Sequence, residues 1–271
     1  MSVEIINKAS IAKSFGNAAV TYDAVAHFQR WVGNELLELI PLHYASNKAP
    51  NIVDLGCGTG YFLSGLQGKY PEANLTGFDL SEDMVRYARQ SHTQQSEINK
   101  TTWLVGEGES LPFKSGSIDL IFSSLAIQWC GSLSRLFNEI QRVLSDKGVF
   151  VFSSLVDGSL SELKAAWAKV DGDQHVNAFA YISDYQKALA TTELKTELLE
   201  ARTKVLYYKK VKDLTRELKA LGAHNMTAQR SMHLTGKQRV KRFLAAYEAL
   251  RLDDGTLPAS YQVLFGVVKK A

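Results

Sequence analysis

The chain is 271 residues long, 45% hydrophobic and 22% charged, with a formal net charge of +3 at pH 7. That length suits one substantial domain with insertions rather than two full ones, and the composition is that of an ordinary soluble globular protein. No run approaches the roughly 18 apolar residues of a membrane-spanning helix, MSVEIINKAS carries no secretory core, and Cys57 and Cys130 are too few for a disulfide framework or a metal cage, so a cytoplasmic location is expected.

Before the first strand, Phe15, Ala18, Ala19, Tyr22, Ala26 and Phe28 suggest an apolar face. A helix is expected from Asp23 to Leu39, ended by Pro41. Such a segment can fold over the mouth of a pocket, with Tyr22 closing it; plain packing is the alternative. Asn51 to Gly60, NIVDLGCGTG, reads as a strand running into Gly56, Gly58 and Gly60, with helix following to Tyr70. Glycines suit a turn that visits positive φ and lets a ligand approach the backbone. The next strand, Asn74 to Leu80, carries Asp79 at its carboxyl end, 19 positions after Gly60. A carboxylate there can accept from both hydroxyls of a ribose while Leu80 covers the base. Ser81, Glu82 and Asp83 then open a helix that runs to Gln95.

A third strand, Thr101 to Gly106, leads into GEGESLPF, where Glu107 beside Gly108 can accept from an adenine amine. The fourth strand, Ile118 to Ser123, is followed by SLAIQWC. Ligands of such sheets sit outside the carboxyl ends of the strands, so Ser123 to Trp129 is expected to line the pocket beyond the nucleoside. Leu133 to Leu144 has helical apolar spacing, and a fifth strand covers Val149 to Ser154. This alternation predicts a parallel sheet with helices on both faces.

Past Leu155 the alternation breaks. A helix is expected over Ser159–Asp171 with Ser159 as its cap, then the polar loop GDQHVNAF and a helix from Ser183 to Ala190. A strand over Leu198–Tyr208, helices over Asp213–Leu221 and Lys237–Arg251, and a last strand over Ser260–Val268 follow. Residues 200–251 hold 13 Lys/Arg against 4 Asp/Glu, whereas the remainder holds 18 against 24. A basic segment on an acidic body suits an anionic partner; a solvated helix face is the alternative. The six histidines show no metal-ligand spacing, and no metal is expected.

The loop spacing is G-x-G-x-G, which lacks the last glycine of a dinucleotide loop and the Gly-Lys-Ser/Thr of a P-loop. Asp54, Asp79 and Glu107 place one acid at each of the first three strand ends. Three acids suit a cationic ligand without phosphates, and S-adenosylmethionine, with its sulfonium and ammonium, fits better than NAD or ATP. VDLGCGTG, the Asp79 strand, GEGESLPF and the Ser123 strand end resemble the class I S-adenosylmethionine-dependent methyltransferases over roughly residues 15–155. The resemblance implies a Rossmann-like, seven-stranded, mostly parallel sheet with a reversed last strand. It also implies that Asp54, Gly56, Gly58 and Gly60 hold the methionine part, Asp79 the ribose, and Glu107 with Gly108 the adenine.

A narrower resemblance spans nearly the whole chain. IAKSFGNAAVTYDAVAHFQR, SSLAIQWC, SLSELKAAWAKVD with HVNAF, LKALGAHN and AYEALR…LPASYQVLFGVVKK are similar to the malonyl-[acyl-carrier-protein] O-methyltransferases of biotin synthesis. It implies methylation of the free carboxylate of a malonyl thioester, with residues 1–45 as a helical lid, 50–155 as the cofactor core, 156–259 as an acceptor-side insertion and 260–268 as the last strand. Gln128 and Trp129 then stand where a donor and an apolar wall are wanted, Tyr22 closes the site, and Asn225 is a second donor. Arg142, Arg202 and Arg251 are the arginines considered for the acceptor carboxylate. Lys209, Lys210, Lys212, Arg239, Lys241 and Arg242 are the expected docking surface for an acidic carrier protein. The readings set beside this one are another small carboxylate, phenol or quinone as acceptor, and a non-catalytic binder of S-adenosylmethionine. A nucleic-acid methyltransferase lacks support, because SSLAIQW stands where an Asn-Pro-Pro-Tyr type pocket would be.

Overall fold

A computed structural model describes residues 7–41, 49–93, 101–223 and 236–271. Seven strands form one sheet: β1 (Asn51–Leu55), β2 (Asn74–Asp79), β3 (Thr102–Val105), β4 (Ile118–Ser124), β5 (Leu144–Leu155), β6 (Lys195–Tyr208) and β7 (Leu257–Lys269). Their spatial order is β3-β2-β1-β4-β5-β7-β6. The first five pair in parallel, and β7 runs antiparallel to both β5 and β6. Chain order therefore reverses between β1 and β4, which brings the carboxyl ends of β1, β2 and β4 together at the switch point.

The helices are α1 (Lys8–Val25), α2 (His27–Glu38), α3 (Leu63–Lys69), α4 (Glu82–Thr93), α5 (Leu133–Val143), α6 (Ser161–Ala168), α7 (Ile182–Leu189), α8 (Val211–Ala220) and α9 (Lys237–Glu248). One sheet face buries Val32, Leu36, Leu63, Phe122 and Phe265. The other buries Phe78, Phe137, Phe150, Phe152 and Tyr185. Each such fully buried side chain contributes roughly 1.5–3 kcal/mol. Together they make the sheet a rigid platform for the loops at its carboxyl edge.

The N-terminal segment departs from the sequence expectation. Helix starts at Lys8 rather than Asp23 and breaks at Ala26, whose ψ of 38° interrupts it before α2. Asn7 caps α1 by accepting from the Ser10 N–H at 3.0 Å. α1 crosses the carboxyl edge of the sheet and is held at both flanks. Ser81 Oγ donates to the Ala12 carbonyl at 2.9 Å, and Ser14 Oγ donates to the Gly222 carbonyl at 3.0 Å. Gly16 is needed there, since a Cβ would stand 2.8 Å from Cβ of Asp83.

Ser159 does not cap α6. Its hydroxyl donates to the Gln262 carbonyl at 3.2 Å and accepts from the Gln262 N–H at 2.9 Å, and Leu160, at φ 55°, precedes the helix. The helix after the glycine loop is shorter than expected, beginning at Leu63, because Gly60 to Phe62 complete the turn. No helix of the described residues is long and apolar enough to cross a membrane.

Candidate active site

The glycine loop is built against β2. The N–H groups of Gly56 and Cys57 donate to the Phe78 carbonyl at 2.7 and 3.1 Å. Gly58 donates to Asp79 Oδ2 at 2.9 Å, while Asp79 Oδ1 accepts from the Ser81 N–H at 2.8 Å. Asp79, expected to accept from a ribose, thus also fixes the glycine loop. Gly56, Gly58 and Gly60 have φ of 76°, 52° and 80°, the left-handed region that favours glycine. A Cβ on Gly56 would lie 2.2 Å from Cβ of Ala126, whereas one on Gly58 would meet nothing within 4 Å. Gly56 is there for packing, and Gly58 borders open space.

Asp54, the penultimate residue of β1, is 1% exposed. Its Oδ2 is buried without a hydrogen-bond partner. Burial, and then the Asp79 carboxylate, push its pKa up to about 8. Burial also raises Asp79, against the opposing pull of the N–H groups of Ser81, Gly58 and Leu80. A buried acid lacking a partner beside a second acid is the electrostatic complement of a cation. The residues present therefore fit the ammonium and sulfonium of S-adenosylmethionine.

At the β3 end, Glu107 pairs with Lys8 Nζ at 2.9 Å, and Lys8 also bonds Glu109. Glu109 accepts from the Gly131 N–H at 3.0 Å. α1 is thereby tied to the loop after β3 as well as to the glycine loop, where Thr59 Oγ1 donates to Asp23 Oδ1 at 2.8 Å. Neither Lys8 nor Asp23 is signalled by a motif.

Ser123 is not on the pocket wall. It is fully buried, and its hydroxyl donates to the Leu55 carbonyl at 2.7 Å, fastening β4 to the end of β1. The pocket wall begins two residues later. Leu125 takes φ 51°, a strained conformation for a branched residue, held by its N–H to the Ser153 carbonyl and hydroxyl, each at 3.1 Å. That bend throws Ile127–Trp129 into a 3-10 turn.

Beside the glycine loop lies a cavity of about 190 Å³, walled by α1, the post-β4 turn, the segment after α6, α8 and β7. Tyr22, Gln128 and Trp129 all line it. Gln128 Nε2 donates to the Leu125 carbonyl at 2.6 Å, and its Oε1 accepts from Ser154 Oγ at 3.3 Å. Ser154 in turn meets the Tyr185 hydroxyl at 2.6 Å. Trp129 stands edge-on to Phe15, with ring centroids 5.5 Å apart. Burial, then the carboxylates of Asp79 and Asp23, hold the Tyr22 phenol well above its ordinary range, so it remains a neutral O–H donor.

The three arginines considered for the acceptor carboxylate are elsewhere. Arg142 bonds Glu139 and the carbonyls of Leu111 and Phe113. Arg202 pairs with Glu35 and lies over the Phe265 ring, and Arg251 bonds Glu248 and the Lys209 carbonyl. Arg239, expected at the docking surface, instead bridges Asp171 and Asp173. Lys209, Lys210, Lys212, Lys241 and Arg242 are exposed. Asn225 lies outside the described residues.

The sequence names His175 only as a minor candidate, from its place in the HVNAF motif, and does not single out Asn177 or Gln29; all three line the cavity. The only sequence signals for them were the HVNAF motif and the apolar face of the N-terminal helices.

Residues 53–152 match a family model described as a methyltransferase domain. The malonyl-[acyl-carrier protein] O-methyltransferase of Hahella chejuensis is 38% identical over 259 residues, covering 95% of this chain and 89% of that protein. The biotin biosynthesis bifunctional protein BioHC of Cellvibrio japonicus is 41% identical over 265 residues; these cover 98% of this chain but only 51% of that longer protein. Among solved structures, the YcgJ protein of Bacillus subtilis superposes with a TM-score of 0.61 at 18% identity, covering 88% of this chain and 98% of its own. That likeness shows the fold.

Proposed function

The chain belongs to the malonyl-[acyl-carrier protein] O-methyltransferase family, and we propose that it transfers a methyl group from S-adenosylmethionine to the free carboxylate of a malonyl thioester on acyl-carrier protein, in the cytoplasm, giving the methyl ester that starts pimeloyl synthesis. The observation that carries the reading is the contrast between two neighbouring regions. Asp54 and Asp79 are acids at the carboxyl ends of β1 and β2, and Tyr22, which feels the Asp79 carboxylate, lines a mostly apolar cavity with no Asp, Glu, Lys or Arg among its described lining residues.

S-adenosylmethionine is the methyl donor, and when bound it supplies an electrophilic methyl on a sulfonium. Asp54 with Gly56, Gly58 and Gly60 would hold its methionine part, Asp79 its ribose with Leu80 on the base, and Glu107 with Gly108 its adenine. Ser123 holds β1 in place from behind rather than meeting the ligand.

A malonyl carboxylate is ionised at neutral pH, so its attack on the methyl needs no base. The protein has to orient one oxygen and exclude water. Gln128 is fixed at both ends of its amide, which leaves the second N–H of its NH2 group to serve the acceptor. Trp129 and Phe15 form the dry wall beside it. Tyr22, protonated over the physiological range, donates rather than abstracts. Asn225 remains a proposed second donor. Residues 156–259 form the acceptor-side insertion, and its exposed Lys209, Lys210, Lys212, Lys241 and Arg242 form the surface proposed to dock the acidic carrier protein.

Mass spectrometry of malonyl-carrier protein incubated with the donor tests this directly. The expected result is a mass gain of one methylene that mild base removes. No gain, with donor binding intact by calorimetry, would overturn the assignment in favour of another acceptor or a non-catalytic binder. A phenolic acceptor is the second reading that one observation favours, because a His–Asp pair stands at the cavity wall.

A further inference from the structure

Among the described residues that line the cavity, His175 alone can carry a positive charge near neutral pH. One ring face and one ring nitrogen are already engaged. One ring face stacks on Trp167, with centroids 3.7 Å apart and planes 13° apart. Trp167 stacks in turn on Phe243 of α9 at 4.3 Å. Nε2 meets Asp171 Oδ1 at 2.8 Å. Asp171 also accepts from the Asp173 N–H at 3.0 Å and from Arg239 Nε at 2.9 Å, and Arg239 reaches Asp173 Oδ2 at 2.6 Å. Three separate segments therefore fix the imidazole: α6 through Trp167, the 171–175 loop through two carboxylates, and α9 through Arg239.

The charge balance of this cluster is short by one. Two carboxylates, Asp171 and Asp173, face one guanidinium, Arg239. An imidazolium at His175 would complete it. With Nε2 held by Asp171 and one face covered by Trp167, the Nδ1 edge is what remains for a ligand. A neutral ring donating through Nε2 would turn a lone pair on Nδ1 toward an anionic acceptor, whereas the imidazolium offers an N–H.

We infer that His175, positioned by Asp171 and Arg239, is the group that binds the acceptor's carboxylate in the cavity, as an imidazolium donating through Nδ1. The inference rests on the malonyl reading above. It assigns the cation that Arg142, Arg202 and Arg251 do not supply. It also separates carboxylate binding from general-base catalysis, for which the same His–Asp pair is suited. The two roles have opposite pH dependence. A binding imidazolium is lost as pH rises, so the acceptor KM climbs; a base is gained as pH rises, so kcat/KM climbs. The other ionisable groups facing the cavity, Tyr22 and Tyr261, are held by burial above the ordinary phenol range and stay neutral throughout.

The test is steady-state kinetics on malonyl-carrier protein with the donor saturating, between pH 6.5 and 8.5, for wild type, His175→Gln and Asp171→Asn. The wild-type acceptor KM should rise with pH. His175→Gln should show a KM raised about 10–100-fold at pH 6.5 and no pH dependence, the loss expected for one charged hydrogen bond. Asp171→Asn should move the same way by less. Donor affinity by calorimetry should stay at the wild-type value in both variants, which a merely structural fault would not allow. A KM for His175→Gln within twofold of wild type overturns the inference and leaves the malonyl reading standing. So does a wild-type kcat/KM that rises with pH and loses that rise in His175→Gln, which marks a base. A wild type that never methylates the malonyl carrier overturns both.

Discussion

Asp54→Asn keeps the shape of a buried side chain and removes its ability to ionise. In the ligand-free protein the Asp54 pKa is pushed up to about 8 by burial and by Asp79. At pH 7 the group is therefore about nine-tenths protonated, and a cationic ligand that uses the carboxylate must displace that proton, at about 1.4 kcal/mol at pH 7 and about 2.7 kcal/mol at pH 6. Wild-type affinity for S-adenosylmethionine should then rise about tenfold from pH 6 to 7 and level off toward pH 8. Calorimetry in buffers of different ionisation enthalpy should count about one proton released per ligand bound near pH 6.5, as expected for a group 1.5 units below its pKa. Asp54→Asn should release none. Its affinity should be level with pH and weaker at pH 8 by about 1.5–3 kcal/mol, the worth of a charged hydrogen bond.

The same shift governs stability. The folded chain holds a proton on Asp54 that the unfolded chain, with an ordinary aspartate pKa of about 3.9, gives up. The stabilisation is complete below about pH 4 and is lost as pH rises toward 8. Asp54→Asn should therefore melt with a shallower pH slope and above wild type at pH 8. Affinity that stays level from pH 6 to 7.5 in the wild type, with no proton released, would refute the reasoning.

The two loop glycines should fail differently. Gly56→Ala puts a methyl 2.2 Å from Cβ of Ala126 and should lower Tm well beyond Gly58→Ala. Gly58→Ala carries only the left-handed strain of about 1–2 kcal/mol yet should still weaken donor binding; equal Tm losses would contradict this packing. Tyr185→Phe removes the 2.6 Å partner of Ser154 and should cost about 1–2 kcal/mol in denaturant unfolding. It should also raise the acceptor KM, with donor affinity unchanged, because Gln128 loses its support. Charge reversal at Lys212 and Lys241 should raise KM for the carrier-linked acceptor more than for malonyl-CoA, and added salt should narrow the gap. Equal losses on both acceptors would remove the docking role.

The residues that reading in chain order placed well are those whose role is local. Asp54 and Asp79 end apolar strands, the three glycines need positive φ, and Gln128 and Trp129 follow a strand end on the ligand side of a parallel sheet. Expectations failed where a partner lay far along the chain. Ser123 was assigned to the pocket because its neighbours are there, but a one-residue step in a strand turns the side chain to the opposite face, here toward the Leu55 carbonyl. The helix drawn from Asp23 missed about four turns of α1, Lys8 to Tyr22. Its support comes from distant partners, Ser81 and Gly222.

The glycine spacing and three strand-end acids were enough by themselves to determine a cationic, phosphate-free ligand, because backbone conformation and charge are properties of short segments. The side-chain pairings around the cavity were decided by tertiary structure. Lys8 finds Glu109 across 101 positions, and Arg239 finds Asp171 across 68. His175 becomes a fixed imidazole only when α9 closes over α6. No period in the sequence carries such pairings. They exist because the sheet brings distant loops to one edge, where packing orients side chains whose isolated rotamers would be free.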